Sequence, residues 1–206
     1  MNFIDDVIQK FPFSQEAVIA IDPVGRRETH HFSHLFARSL GLSGAMLEQG
    51  VRRGDVVMIL TGSRIEFVIS MLACFRMGAV ALPMNPQLTA ADLAFRVSAT
   101  NPSLAIGESR YLKTLGSCVP ALDMDDLARI FDEDLDQATP AKTAKLDPGD
   151  PALIVFTSGS TGEPKGVIHP QSYLLGQSTQ AEHWLGAAPG DLVWCTAAPG
   201  WSKSSR

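Results

Sequence analysis

Ten consecutive residues carry most of the chemistry available to this chain: Thr157-Ser158-Gly159-Ser160-Thr161-Gly162-Glu163-Pro164-Lys165-Gly166. Four hydroxyls, three glycines and one lysine stand together there. They follow the apolar run Ala152-Leu153-Ile154-Val155-Phe156, which reads as a buried strand after the turn residues Pro148-Gly149-Asp150-Pro151. Hydroxyls and a charged lysine need polar partners, so the segment is not core. Glycines at 159, 162 and 166 are expected to allow positive φ and a close backbone approach to a ligand. Exposed N–H groups, hydroxyl donors and an ammonium together suit a polyphosphate. A segment of this composition can also be a solvated turn or linker. Pro164 and the strand before it argue against free flexibility.

Spacing separates the segment from better-known loops. A Walker loop counted from Gly159 would need glycine where Pro164 stands. A dinucleotide-binding Gly-x-Gly-x-x-Gly is absent, as is the Gly-x-Ser-x-Gly of a serine nucleophile elbow. The string Thr-Ser-Gly-Ser-Thr-Gly-x-Pro-Lys-Gly closely resembles the signature loop of the adenylate-forming enzymes. That superfamily includes acyl-CoA synthetases, peptide-synthetase adenylation domains and firefly-type luciferases.

The elements that must position this loop are legible as alternating helices and strands. Ala17 to Ile21 and Glu28 to Phe32 flank Asp22-Pro23-Val24-Gly25, a hairpin pattern. Ser33 is expected to cap a helix with Leu35, Phe36, Leu40, Met46 and Leu47 on one face and Gly50 as its stop. Strands are expected at Val56 to Leu60, Ala79 to Leu82 and Leu104 to Ile106, with helices from Arg64 to Met77 and after a Thr89/Asp92 capping box. A helix from about Ser172 to Leu185 and a last strand, Leu192 to Cys195, complete the pattern. Strands alternating with single helices predict an α/β fold with mainly parallel sheets and helices on both faces. The expected division is an N-terminal α/β subdomain over 1–131, a surface connection over 132–151, and a phosphate-loop segment over 152–206 that begins an incomplete second sheet.

Composition narrows the function classes. The chain has 206 residues, 45% hydrophobic and 19% charged, as ordinary globular proteins do. Of the net charge of −5, residues 123–136 hold seven acids against the single Arg129, so the remainder is close to neutral. No basic stripe exists to follow a nucleic acid. The acidic segment reads as solvated surface. Cys74, Cys118 and Cys195 lack Cys-x-x-Cys spacing, which points to reduced thiols buried as small hydrophobes and to a cytoplasmic protein. The apolar stretch from Phe67 to Met84 is interrupted by Arg76 and Gly78, so it reads as a helix and a strand, with no membrane span.

The resemblance extends over roughly residues 17–206, through Gly54-Asp55-Val56, Gly78-Ala79-Val80-Ala81-Leu82-Pro83, and the stretch Asp191 to Thr196 with Gly200-Trp201. It implies a partial N-terminal domain of the acyl-CoA synthetase-like fold. It also implies a two-step ligation: a small carboxylic acid attacks the α-phosphorus of ATP and releases pyrophosphate, then the thiol of coenzyme A takes the acyl group from AMP. Thr157, Ser158, Gly159, Ser160, Thr161, Gly162 and Lys165 would bind the β- and γ-phosphates, with Mg2+ bridging them. The resemblance names no catalytic residue and no metal ligand within these residues. Trp201 would either wall an acyl pocket or pack in the core. His169 is expected to be structural, because a carboxylate nucleophile needs no base. Family members are far longer, so the chain reads as an N-terminal fragment, inactive alone, with uncovered sheet surface available for self-association. An amino-acid adenylation domain and a silent phosphate-binding fragment are the alternatives.

Overall fold

Apolar strands that lack period-two alternation must be covered on both faces, and the molecule is built that way. A computed structural model describes residues 1–22, 24–132, 142–157, 162–188 and 190–201. A hairpin of β1 (Glu16–Ile21) and β2 (Arg27–His31) precedes a six-stranded sheet. Its strands are β3 (Val56–Leu60), β4 (Val80–Pro83), β5 (Leu104–Gly107), β6 (Ala121–Leu122), β7 (Pro151–Thr157) and β8 (Lys165–Pro170). Their spatial order is β6-β5-β3-β4-β7-β8, and every pairing is parallel except β7 with β8.

Successive strand residues feed opposite faces. Val57, Ile59, Ala81, Leu104, Ile106, Leu153 and Val155 point into one core, shared with α1 (Phe3–Asp6), α2 (Phe32–Glu48), α3 (Ile65–Met77) and α7 (Gln171–His183). Met58, Leu60, Val80, Leu82, Ala105 and Ile154 point into the other, under α4 (Ala90–Thr100) and α5 (Ser109–Leu115). Among the described residues no helix is long and apolar enough to cross a membrane.

Local signals act where they were expected. Thr89 and Asp92 form a reciprocal capping box at α4, and Gly78 ends α3 at φ +74°. The Gly54 N–H donates to the Gly78 carbonyl at 2.8 Å and the Val80 N–H to the Asp55 carbonyl at 2.8 Å. The Gly54-Asp55 and Gly78-Ala79 turns therefore enter the sheet side by side.

Five expectations need correction. Ser33 does not cap α2: the cap position is His31, without a side-chain bond, because β2 runs directly into the helix. Ala152 to Phe156 does not open a second sheet; β7 pairs with the exposed edge of β4 and extends the first one. Leu192 to Cys195 is not a strand, and Leu192, Val193 and Trp194 are exposed. Residues 142–150 are more than a surface connection, because Leu146 is buried and Ala144 donates its N–H to the Arg76 carbonyl. Of the cysteines, only Cys74 is buried; Cys118 and Cys195 are exposed. The acidic stretch stands as expected: over α6 (Met124–Asp132) its acids face water, while Leu127, Ile130 and Phe131 pack on the core.

Candidate functional site

Parallel strands bring their C-terminal ends to one edge of the sheet. Thr61-Gly62 follows β3, Met84-Asn85 follows β4, Glu108 follows β5, and Thr157 closes β7. From β3 the chain crosses to β4 on one side and then returns to β5 on the other, so the helices that follow β3 and β4 lie on opposite faces. That reversal opens a crevice at the strand ends, where open α/β sheets take ligands. A cavity of about 240 Å³ at this edge is lined by Leu60, Asn85, Leu93, Arg110 and Tyr111. Arg110 is held there by Glu108 at 2.9 Å and covers the Tyr111 ring at 4.6 Å.

The sequence-selected loop joins β7 to β8 at the same edge. Thr157 and Lys165 face one another across the antiparallel pair, and the Thr157 hydroxyl donates to the Lys165 carbonyl at 3.5 Å. Both residues are exposed, so the ammonium is open to an anion, and the Thr157 hydroxyl can donate to one by turning away from its long bond to the Lys165 carbonyl. Gly162 has φ +107° with open space where a side chain would go, as a turn beside a ligand requires. Ser158, Gly159, Ser160 and Thr161 lie outside the described residues.

Gly166 departs from the expectation. Its φ lies outside the left-handed region; it is a strand residue facing Phe156, whose ring would lie 3.4 Å from an added β-carbon. Trp201 is 60% exposed and therefore does not pack in the core. Its neighbour Gly200 rests on Met84 and Asn85, which brings the 190–201 segment to the ligand edge of the sheet. His169 stacks on Tyr173 at 4.1 Å, away from the loop. Among the described residues no cluster of three histidine, cysteine, aspartate or glutamate side chains could hold a metal ion.

Sequence reasoning missed Arg96 and Phe95. Arg96 is 7% exposed, and its guanidinium lies 5.0 Å from the centre of the Phe156 ring. Burial lowers its pKa while the Asp92 carboxylate opposes that shift. No motif marks these residues; only their position on the α4 turn facing β7 reveals them.

Comparison with known proteins places this arrangement among relatives. The AMP-binding enzyme family matches residues 4–204. An uncharacterized acyl-CoA ligase of Bacillus subtilis is 28% identical over 91% of this chain and 37% of its own length. An acetyl-coenzyme A synthetase of Shewanella amazonensis is 30% identical over 82% of this chain and 31% of its own. This chain therefore spans about a third of those curated relatives. Among solved structures, a Brucella canis acyl-CoA synthetase superposes with a TM-score of 0.84 at 21% identity, covering 98% of this chain and 39% of that one. An O-succinylbenzoate coenzyme A synthetase from Bacillus subtilis, solved with ATP and magnesium, gives 0.75 at 24%, covering 91% and 48%. With a family match over nearly its whole length, this chain belongs to the AMP-binding enzyme family.

Proposed function

We propose that the chain carries the ATP-phosphate-binding part of an AMP-forming acid–thiol ligase of the acyl-CoA synthetase type. One observation supports this most directly: Thr157 and Lys165 stand opposite each other at the C-terminal edge of the sheet, both exposed. In this reading Thr157, Ser158, Ser160 and Thr161 donate to the β- and γ-phosphates beside the N–H groups around Gly159 and Gly162. The Lys165 ammonium balances the charge that collects on the departing pyrophosphate. Mg2+ bound mainly by phosphate oxygens and water would neutralise the same charge. A carboxylate oxygen bonds to the α-phosphorus as the bond to the bridging oxygen breaks, giving acyl-adenylate and pyrophosphate. The coenzyme A sulfur then bonds to the acyl carbon, its proton leaves to solvent, and AMP departs.

The complete two-step activity, its small carboxylic acid and a cytoplasmic location are proposed for a protein of the relatives' length. Trp201 is assigned to the wall of the acid site because Gly200 holds it at the ligand edge. Amino-acid adenylation is the second reading, favoured by 29% identity over 84% of this chain to a probable nonribosomal peptide synthetase, CymA, of Salinispora arenicola.

Titration calorimetry with ATP and Mg2+ tests the central assignment. Replacing Thr157 and Lys165 together with alanine should weaken ATP binding at least about tenfold, the loss of one or two charge-assisted contacts. Equal ATP affinity in the double variant would sink the reading. Carboxylate-dependent ATP–pyrophosphate exchange is expected to be absent from the 206-residue chain.

A further inference from the structure

Phe156, the residue immediately before Thr157, is held from two directions. On one side Arg96 presents its guanidinium to the ring at 5.0 Å, and Phe95 meets the ring edge-on at 6.3 Å and 72°. On the other, the ring lies against Gly166, where a β-carbon would come 3.4 Å from Cζ and 3.6 Å from Cε1. A β-carbon at 166 would meet the ring in ordinary van der Waals contact, so the ring packs directly over Gly166 and only a side chain reaching beyond the β-carbon would press on it.

Arg96 is itself fixed. Its Nη1 donates to the Asp92 carbonyl at 2.8 Å, and the Asp92 carboxylate, 3.7 Å away, is anchored by the Thr89 capping box. A buried cation on a ring face competes with little water, so the contact is stronger than its surface equivalent. One fixed path therefore runs from the first turn of α4 through Arg96 to Phe156.

We propose that Arg96 is a positioning residue for the phosphate turn: by holding Phe156 against Gly166 it fixes the facing pair Thr157 and Lys165. This inference rests on the reading of that turn as a triphosphate site. Arg96 touches no phosphate and acts only through the ring.

Residue-resolved amide exchange of the chain without nucleotide tests the clamp. Arg96→Met and Phe156→Leu keep apolar bulk and remove the cation and the ring. Each should speed exchange at Thr157, Lys165 and Gly166 about tenfold, as loss of one buried cation–ring contact would, with β3 and β5 unchanged. Because both variants remove one contact, the double variant should be no faster than the faster single one. Additive effects, or no local change, overturn the clamp. If either variant fails to fold, Gly166→Leu, whose side chain reaches past the β-carbon into the ring, should produce the same local increase; unchanged exchange overturns the proposal. Arg96→Met should also weaken ATP·Mg binding while exchange in β3 and β5 stays unchanged, which a general packing defect would not do. A clamp seen in exchange, with ATP affinity indifferent to Thr157 and Lys165, would refute the phosphate reading alone. ATP affinity that depends on those two residues, with exchange indifferent to Arg96, would refute the clamp alone.

Discussion

Gly200 lies directly against Asn85. A β-carbon on Gly200 would overlap the Asn85 amide nitrogen and stand 2.6 Å from the Met84 carbonyl carbon, and φ at Gly200 is +87°. The contact is between backbones, so neither side can yield by changing a rotamer. It ties the 190–201 segment to the end of β4 although that segment contains no helix or strand.

Gly200→Ala should release this segment. The strained φ and the overlap together cost about 1–3 kcal/mol, enough to undock residues held by few other contacts. Limited proteolysis should then cut between residues 186 and 200 faster than in the parent chain, while cleavage within β3 to β5 stays unchanged. Equal cutting rates would refute the docking.

Asn2 is the polar knot of the N-terminus. Its Nδ2 donates to the carbonyls of Phe75, Arg76 and Ala144 at 3.0, 3.1 and 3.0 Å, and its Oδ1 accepts from the Ile4 N–H. The side chain thus caps α1 and joins it to α3 and to the 142–150 segment. Asn2→Ala should lower stability by about 1–3 kcal/mol through the lost cap and the orphaned buried acceptors. Chemical denaturation of the two chains measures it.

His30 should make the fold sensitive to mild acid. Its ring is 1% exposed, and Nε2 lacks a hydrogen-bond partner, with the Glu28 carboxylate 3.6 Å away. Burial lowers its pKa below the ordinary 6.5, with Glu28 opposing the shift. Well above pH 6.5 both folded and unfolded forms are neutral, so nothing is lost. As pH falls below that value the unfolded form takes the proton first, and stability declines. His30→Phe should flatten the stability profile between about pH 5 and 7, the range in which histidine titrates; an unchanged slope would assign it to other groups.

The three thiols should divide two to one. Cys74 is fully buried and its thiol is pushed up to about 12 by desolvation, whereas Cys118 and Cys195 are exposed. A thiol reagent at pH 8 should modify Cys118 and Cys195 rapidly and Cys74 only on unfolding. Peptide mapping after a short pulse identifies the modified sites.

The outer edge of β8 carries Val167 and Ile168, 40% and 63% exposed, and Trp184 and Leu185 lie exposed just past α7. An apolar edge strand of this kind pairs readily with another chain. Sedimentation should show concentration-dependent self-association that Ile168→Lys suppresses; a monomer at every concentration would contradict this.

Composition and local pattern were sufficient for whatever depends on neighbours in the chain. The strand Val56–Leu60, the capping box at Thr89 and the stop at Gly78 are written in consecutive residues, because caps, turns and apolar runs are short-range physics. Pairing partners are not short-range. That β7 joins β4 instead of opening a second sheet, and that Leu192 to Cys195 is not a strand, depends on contacts between segments far apart in the chain. Gly166 shows the same division at one residue: its place in the motif suggested backbone freedom, yet in the folded chain it is a strand residue with Phe156 packed over it. Arg96 lies about sixty residues from that ring in the sequence and 5.0 Å from its centre in space. Only the sheet order and the helix that crosses it bring the two together.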